Sequence, residues 1–210
     1  LEPHGDQTRP LCCGRTFLSV GLVEEAKKEA ARLVKASSEH VKRGIPIIGL
    51  EPSCILTLRD ELPELVGDAI PLSESASLIE EYLVKRKQDS DLALPLRNSD
   101  GLEILAHGHC HQKSADAFGP TIEALKLIPG VEVNTIESTC CGMAGAFGYQ
   151  ADTQRVGRSI GELDLLPAVR DASDSTLIVA DGTSCRHQVA AATSRQAHHA
   201  ITVIRDALLV

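Results

Sequence analysis

The 210-residue chain has almost no aromatic residues: no Trp, two Tyr, three Phe, and beside them a single Met. A core built without rings must come from Leu, Ile, Val and Ala, which suits a parallel sheet covered by helices. The hydrophobic fraction of 43% is enough for a sizeable core. Positive charge is not in excess either, since the formal net charge is −8. That balance argues against a nucleic-acid backbone or an anionic membrane surface as the main partner. No apolar run approaches the ~18 residues of a spanning helix, so no transmembrane segment is expected. The opening from Leu1 to Pro10 is polar and does not read as a secretory leader.

Against these absences stands a repeated cysteine pattern. Cys12-Cys13-Gly14 and Cys140-Cys141-Gly142 are copies of one tripeptide, and each is followed by a Ser-Cys element, Ser53-Cys54 and Ser184-Cys185. The gaps are similar, 41 positions from Cys13 to Cys54 and 44 from Cys141 to Cys185. Such a repeat implies a duplicated unit that gathers thiolates at one point, as soft metals and iron–sulfur clusters require. Seven cysteines is an odd count, and four of them are adjacent pairs that are too strained to bridge each other. A secreted disulfide scaffold would be shorter and less regular. A reducing, cytoplasmic setting is expected, peripheral at most to the inner face of a membrane. Cys12 precedes any expected strand or helix, so the chain reads as a piece of a longer protein.

Periodicity divides the chain into alternating elements. A helix is expected over 20–41, ended by Gly44 and Pro46, then a buried strand over 45–50 and helices over 54–65 and 75–85. Residues 88–101 are polar, contain Pro95 and form the best linker. The second half restarts with a strand over 103–106 that runs into His107-Gly108-His109-Cys110-His111. A helix at 120–127, a strand at 131–136, a helix over 151–169 and a strand at 176–180 follow. A further helix begins at Arg186, and 200–204 is a last strand or a helix start. The alternation predicts an α/β fold of two similar Rossmann-like halves, 1–90 and 100–210, with parallel strands. Cys54, Cys110, Cys140-Cys141 and Cys185 each follow an expected strand, and Cys12-Cys13 is expected at the matching place of the first half, so the cysteine sites lie at strand C-terminal ends, where open α/β sheets place ligands.

At those ends Cys54 and Cys185 are expected at helix N-termini, where unpaired amides stabilise a thiolate. Gly14 and Gly142 permit a backbone turn that a Cβ would forbid. Cys110, Cys140, Cys141 and Cys185 supply four sulfurs, the count an ordinary cluster needs. Alternation in an extended segment would put His107, His109 and His111 on one side, opposite Cys110, as a metal site or as a hydrogen-bonded loop beside the cluster. Of the three, His111 is the first choice for function. His187 follows Cys185 closely, to tune a thiolate or to cap a helix. His198-His199 reads as solvated surface. Lys113 reads as a surface lysine, or as a countercharge to the thiolates. The glycine-rich run 142–148 does not match a nucleotide loop.

These motifs resemble a known family. The runs LCCGRTFLSVGL, GLEPSC, HGHCHQK, ESTCCGMAGAFGYQ and ADGTSCRH are similar to the CCG, or cysteine-rich, domain. That domain occurs in a subunit of heterodisulfide reductase and in iron–sulfur subunits of glycolate, lactate and anaerobic glycerol-3-phosphate oxidation. More closely, the runs look like the C-terminal region of fused FAD-binding and iron–sulfur-binding oxidoreductases resembling D-2-hydroxyacid dehydrogenases. The resemblance implies electron transfer within a flavin-dependent 2-hydroxyacid oxidoreductase. It implies a 4Fe-4S cluster in the second half and zinc or a second cluster at Cys12, Cys13 and Cys54. FAD would sit on an upstream domain of the same polypeptide, and a quinone or redox protein would accept the electrons. The family's fullest pattern ends each half in two cysteines two residues apart, but Glu51 and Gly182 occupy the first of those positions here. Glu51 is then an oxygen ligand or an acceptor for backbone amides, and Gly142, His111 and His187 line the cluster. Two alternatives stay open: thiol–disulfide chemistry at a cluster, and a zinc-stabilised docking module.

Overall fold

The computed structural model describes residues 9–209; residues 1–8, most of the polar opening, lie outside them. The chain divides into two compact units, one ending at Leu78 and one beginning at Ile79.

In the first unit a short helix, α1 (Arg15–Ser19), leads into a long one, α2 (Val23–Lys42). In α2, Ala26, Glu29, Ala30, Leu33 and Ser37 recur at three- and four-residue spacing and share the buried face. Glu24 and Glu25 in its first turn and His40 and Lys42 in its last complement the helix dipole. Glu29, an acid on the buried face, is paired with Arg9 and Arg32. Strand β1 (Ile47–Gly49) follows, then α3 (Pro52–Arg59), α4 (Glu61–Leu65), α5 (Ile70–Ser75) and strand β2 (Ala76–Leu78). The two strands pair in parallel, Ile47 opposite Ala76 and Gly49 opposite Leu78. Gly49 is fixed by packing, because a Cβ there would stand 2.5 Å from the Cβ of Ile55 on α3.

The second unit opens with α6 (Ile79–Gln88). Strand β3 (Glu103–His107), α7 (Cys110–Ser114), α8 (Gly119–Leu125) and β4 (Glu132–Thr135) follow. After a single 3₁₀ turn come α9 (Gln154–Gly161), α10 (Leu165–Asp171), β5 (Leu177–Ala180), α11 (Thr183–Ala192), β6 (Ala197–His198) and α12 (Ala200–Asp206). The sheet order is β4-β3-β5-β6, all parallel. Its strands alternate between two cores, as a pleat requires. Ile104, Ala106 and Val179 face one layer with Leu125, Ile128, Val203 and Ile204. Ile178 and Ala180 face the other with Leu165, Leu166, Val169 and Val189. The α/β class with parallel strands therefore stands, with aliphatic cores on both faces of the larger sheet.

Several boundaries differ from the periodicity. The helix expected over 54–65 is two, α3 and α4, and that over 151–169 is α9 and α10. Pro63 and Pro167 lie early in the restarted helices, where an unbroken helix would set each ring against the carbonyl four residues before it. The helix expected over 75–85 gives up Ala76, Ser77 and Leu78 to β2, which hydrogen-bonds to β1. The helix expected from Arg186 begins at Thr183, and 200–204 lies within α12. Among the described residues no helix is long and apolar enough to cross a membrane.

Candidate metal centre

In the larger sheet the chain leaves β3 for β4 on one side and returns to β5 on the other. Open α/β sheets hold ligands beside the carboxyl ends of strands at such a reversal. The segments after β3, β4 and β5 carry Cys110, Cys140-Cys141 and Cys185 respectively. Cys110 opens α7, whose N-cap is His109. His109 Nδ1 accepts from the His111 amide at 3.1 Å, and the Gln112 side chain accepts from the His109 amide at 2.9 Å. In the loop after β4, the Gly142 amide donates to Cys140 Sγ at 3.2 Å, with Gly142 at φ +86°. Cys185 is the third residue of α11, in the amide-rich first turn.

The four sulfurs form a chain of contacts, Cys110 to Cys140, Cys140 to Cys141 and Cys141 to Cys185. Cys141 and Cys185 are buried, at 4% and 1% exposure, and Cys110 and Cys140 are half-buried. Donation by Cys110 and Cys141 holds Cys140 well below the usual thiol range. The neighbouring Cys141, then His107, hold Cys185 well below the usual thiol range in turn. The donating thiols, Cys110 and Cys141, are pushed up by those same hydrogen bonds and by burial. A ring nitrogen of His107 and the sulfurs of Cys141 and Cys185 all lie within 4.8 Å of one another.

The first unit repeats the local design with fewer donors. The Gly14 amide donates to Cys12 Sγ at 3.4 Å, with Gly14 at φ +85°, the same turn as at Gly142. Cys54 is the third residue of α3, as Cys185 is of α11. Cys13 donates to Cys54, which pushes Cys13 up and holds Cys54 down. Three thiols converge here among the described residues. Glu51 occupies the N-cap of α3 and accepts from Ser53 Oγ at 2.8 Å and, more weakly, from the Ser53 amide. Its counterpart, Gly182, is the N-cap of α11.

The histidines sort differently from the alternation argument. The segment is not extended throughout, because α7 begins at Cys110. His107 ends β3, His109 caps α7 and His111 lies within it, with ring centroids of His109 and His111 5.2 Å apart. His187 is exposed and shares a 2.7 Å hydrogen bond with Tyr149 Oη. His199, expected on the surface, is largely buried. It caps α12 and stands 3.4 Å from Asp181 and 3.6 Å from Glu80. Lys113 is half-buried, its ammonium on the Ser138 carbonyl. Two glutamines with no motif of their own also serve the site. Gln188 donates to the Cys141 and Gly157 carbonyls at 3.0 and 3.1 Å, and Gln112 donates to Asp181 at 2.9 Å.

Gly182 is a sensitive point. A Cβ there would lie 2.3 Å from His109 Cδ2 and 3.2 Å from Cys185 Sγ. Gly182→Ala is expected to displace His109 from its cap on α7 and to cost about 1–3 kcal/mol. Hydrogen exchange should locate the loosening at the His111 amide; unchanged protection there would contradict this placement.

Known proteins share this arrangement of sequence. The family model described as a cysteine-rich domain matches residues 104–190. One subunit of the anaerobic glycerol-3-phosphate dehydrogenase of Escherichia coli (strain K12) is 33% identical over 201 residues, covering 94% of this chain and 49% of the relative. D-2-hydroxyglutarate dehydrogenase of Haemophilus influenzae is 28% identical over 186 residues, covering 84% of this chain and 17% of that protein. Lactate utilization protein A of Oceanobacillus iheyensis is 28% identical over 151 residues, 66% of this chain and 57% of its own length. The chain thus spans about half or less of the first two of these relatives. No solved structure matches it. Residues 104–190, which contain all four cysteines of the second unit, match the cysteine-rich domain family.

Proposed function

We propose that the chain is the electron-transfer part of a flavin-dependent 2-hydroxyacid oxidoreductase, with a 4Fe-4S cluster held by Cys110, Cys140, Cys141 and Cys185. The observation that carries this reading is the convergence of four thiols at the carboxyl edge of one parallel sheet. Two of the relatives' names, a D-2-hydroxyglutarate dehydrogenase and a lactate utilization protein, support the substrate class, and the glycerol-3-phosphate dehydrogenase subunit supports the dehydrogenase setting alone. A bound cluster supplies storage of one electron at a time. The protein's part is to hold it. Cys140 and Cys185 are poised as thiolates, and the first-turn amides of α11 favour negative charge at Cys185. Gly142 and Gly182 keep the loops free of side chains where backbone and sulfur approach closely.

On this reading Cys12, Cys13 and Cys54 hold zinc or a second cluster, and residues 1–90 and 100–210 are copies of one unit. The matched turns at Gly14 and Gly142 support that pairing. The FAD and the hydroxyacid site belong to a domain upstream in the same polypeptide. Electrons leave to a quinone or a redox protein, on the cytoplasmic side.

One observation favours a second reading, a structural zinc ion. Donors within 4.8 Å of one another, two sulfurs and a nitrogen, suit a single tetrahedral ion. Iron, sulfide and zinc content after anaerobic purification and reconstitution, with low-temperature EPR on the same sample, separates the two. About four irons and four sulfides per chain, lost in Cys141→Ser and Cys185→Ser, is the expected result. In the full-length enzyme these variants should keep flavin reduction by substrate and lose acceptor reduction. Zinc without iron overturns the electron-transfer reading.

A further inference from the structure

His107 closes β3 at 2% exposure, deeper than either half-buried cysteine. Its Nδ1 shares a 2.8 Å hydrogen bond with Ser138 Oγ. Its Nε2 is buried and has no hydrogen-bond partner among the described residues. A buried ring nitrogen left without a partner is costly, so such an atom is expected to serve a group that completes it. The nearby candidates are the sulfurs of Cys141 and Cys185, within 4.8 Å of a ring nitrogen.

The other side of the ring bears on which kind of partner Nε2 makes. Ser138 Oγ has one proton to give and takes donation from Lys113 Nζ at 3.4 Å, and the same ammonium donates to the Ser138 carbonyl. Lys113 has protons only to donate. An oxygen that accepts from an ammonium is left with its own O–H to direct onward, and the neighbour in reach is His107 Nδ1. An imidazole that accepts at Nδ1 carries its proton at Nε2.

We infer that Lys113, Ser138 and His107 form a directed chain of hydrogen bonds that delivers an Nε2–H donor to the buried sulfurs of Cys141 and Cys185. Every donor in the chain points the same way, from ammonium to hydroxyl to imidazole to sulfur. Hydrogen bonds in series polarise one another, so the half-buried charge of Lys113 acts on sulfurs that it does not touch. None of the three side chains is a ligand. They position and polarise, and His107 is the member that meets sulfur. The inference rests on the iron–sulfur reading above and gives these residues a tuning role within it. Donors to cluster sulfur favour the more negative, reduced state and raise the reduction potential.

Two measurements decide it. The first needs no metal: ¹⁵N-resolved NMR of the histidine rings in the reduced, metal-free chain at pH 8, above the ordinary histidine range. Protonated Nε2 and bare Nδ1 on His107 are expected, with that preference lost in Ser138→Ala and restored in Ser138→Thr. A proton on Nδ1 would overturn the inference and make Nε2 a ligand instead. The second is the midpoint potential of the iron-loaded protein. Ser138→Ala and Lys113→Met should each move it to more negative values. A tenfold change in the oxidised-to-reduced ratio at fixed potential, about 59 mV for one electron, is the expected scale. Potentials equal to wild type in both variants would overturn the inference even with the expected tautomer. A chain that takes up zinc and no iron defeats the iron–sulfur reading, and the ring tautomer then decides on the hydrogen-bond chain alone.

Discussion

Gly142→Ala is expected to destabilise the second unit by about 2–5 kcal/mol, lowering its Tm by roughly 6–20 °C. Two effects add. Gly142 sits at φ +86°, where an L side chain costs about 1–2 kcal/mol. Its Cβ would then stand 1.9 Å from the Gly157 carbonyl oxygen and 2.8 Å from the carbonyl carbon. Those atoms are helix backbone and cannot rotate away, so a further overpacking cost of about 1–3 kcal/mol follows. The loop and α9 are also tied by Gln188, which donates to both the Cys141 and Gly157 carbonyls, so displacing one displaces the other. Gly14→Ala is the internal control. Gly14 has nearly the same φ, +85°, but its Cβ would meet nothing closer than the Ala26 oxygen at 3.0 Å. It should cost about 1–2 kcal/mol, the conformational part alone. Thermal unfolding of both variants checks the pair; equal losses would mean that the contact with Gly157 contributes nothing.

This pair of glycines also shows what a sequence can and cannot disclose here. The Cys-Cys-Gly repeat is local, and its consequence, an amide of the third residue donating to the first sulfur, is local too. It is therefore legible, as are the placement of Cys54, Cys110, Cys140, Cys141 and Cys185 after strands and the helix-start positions of Cys54 and Cys185; among the described residues no strand precedes Cys12-Cys13. The partner of Gly142 is not. Gly157 and Gly161 recur at helical spacing, so their shared face on α9 is readable as a seam for close backbone approach. Which segment fills the seam depends on a crossover between distant strands. The same holds for β2, three residues with no pattern of their own that become a strand only because β1 lies alongside. The histidine cluster escapes for a different reason. Alternation holds only while the backbone stays extended, and the capping pair of His109 and Gln112 starts a helix at Cys110. That turn separates His107 from His111 and sends it toward the sulfurs. A capping reading of His109-Cys110-His111-Gln112 finds the break, since Gln at the third helical position is a capping-box residue.

Glu80→Gln is expected to remove a pH dependence from the second unit and to make it more stable than wild type at pH 8. Glu80 is at 0% exposure, and neither carboxylate oxygen has a hydrogen-bond partner among the described residues. Burial first, then the nearby charge of Asp181 and a smaller push from Glu81, raise its carboxyl from the ordinary 4.5 to about 8. Asp181 is already served by Gln112, Thr121 and the Ala200 amide, so it is Glu80 that keeps the proton. His199, the third group in the cluster, accepts from the Ile201 amide at Nδ1, which leaves that lone pair engaged. The sign follows from the raised value. Below pH 4.5 folded and unfolded states are both protonated, and the contribution is fully present. As pH rises the unfolded chain releases its proton first, and stability falls until the folded carboxyl has also ionised near pH 8. Between pH 5 and 8 the loss is on the order of 3–4 kcal/mol. Glutamine keeps the shape, carries no charge beside Asp181 and has no proton to lose. Denaturant unfolding of both proteins across that window, under reducing conditions, should give curves that diverge steadily toward alkaline pH. Parallel curves would show that Glu80 ionises in the folded protein as it does in the unfolded chain, and that burial beside Asp181 is not what governs its proton.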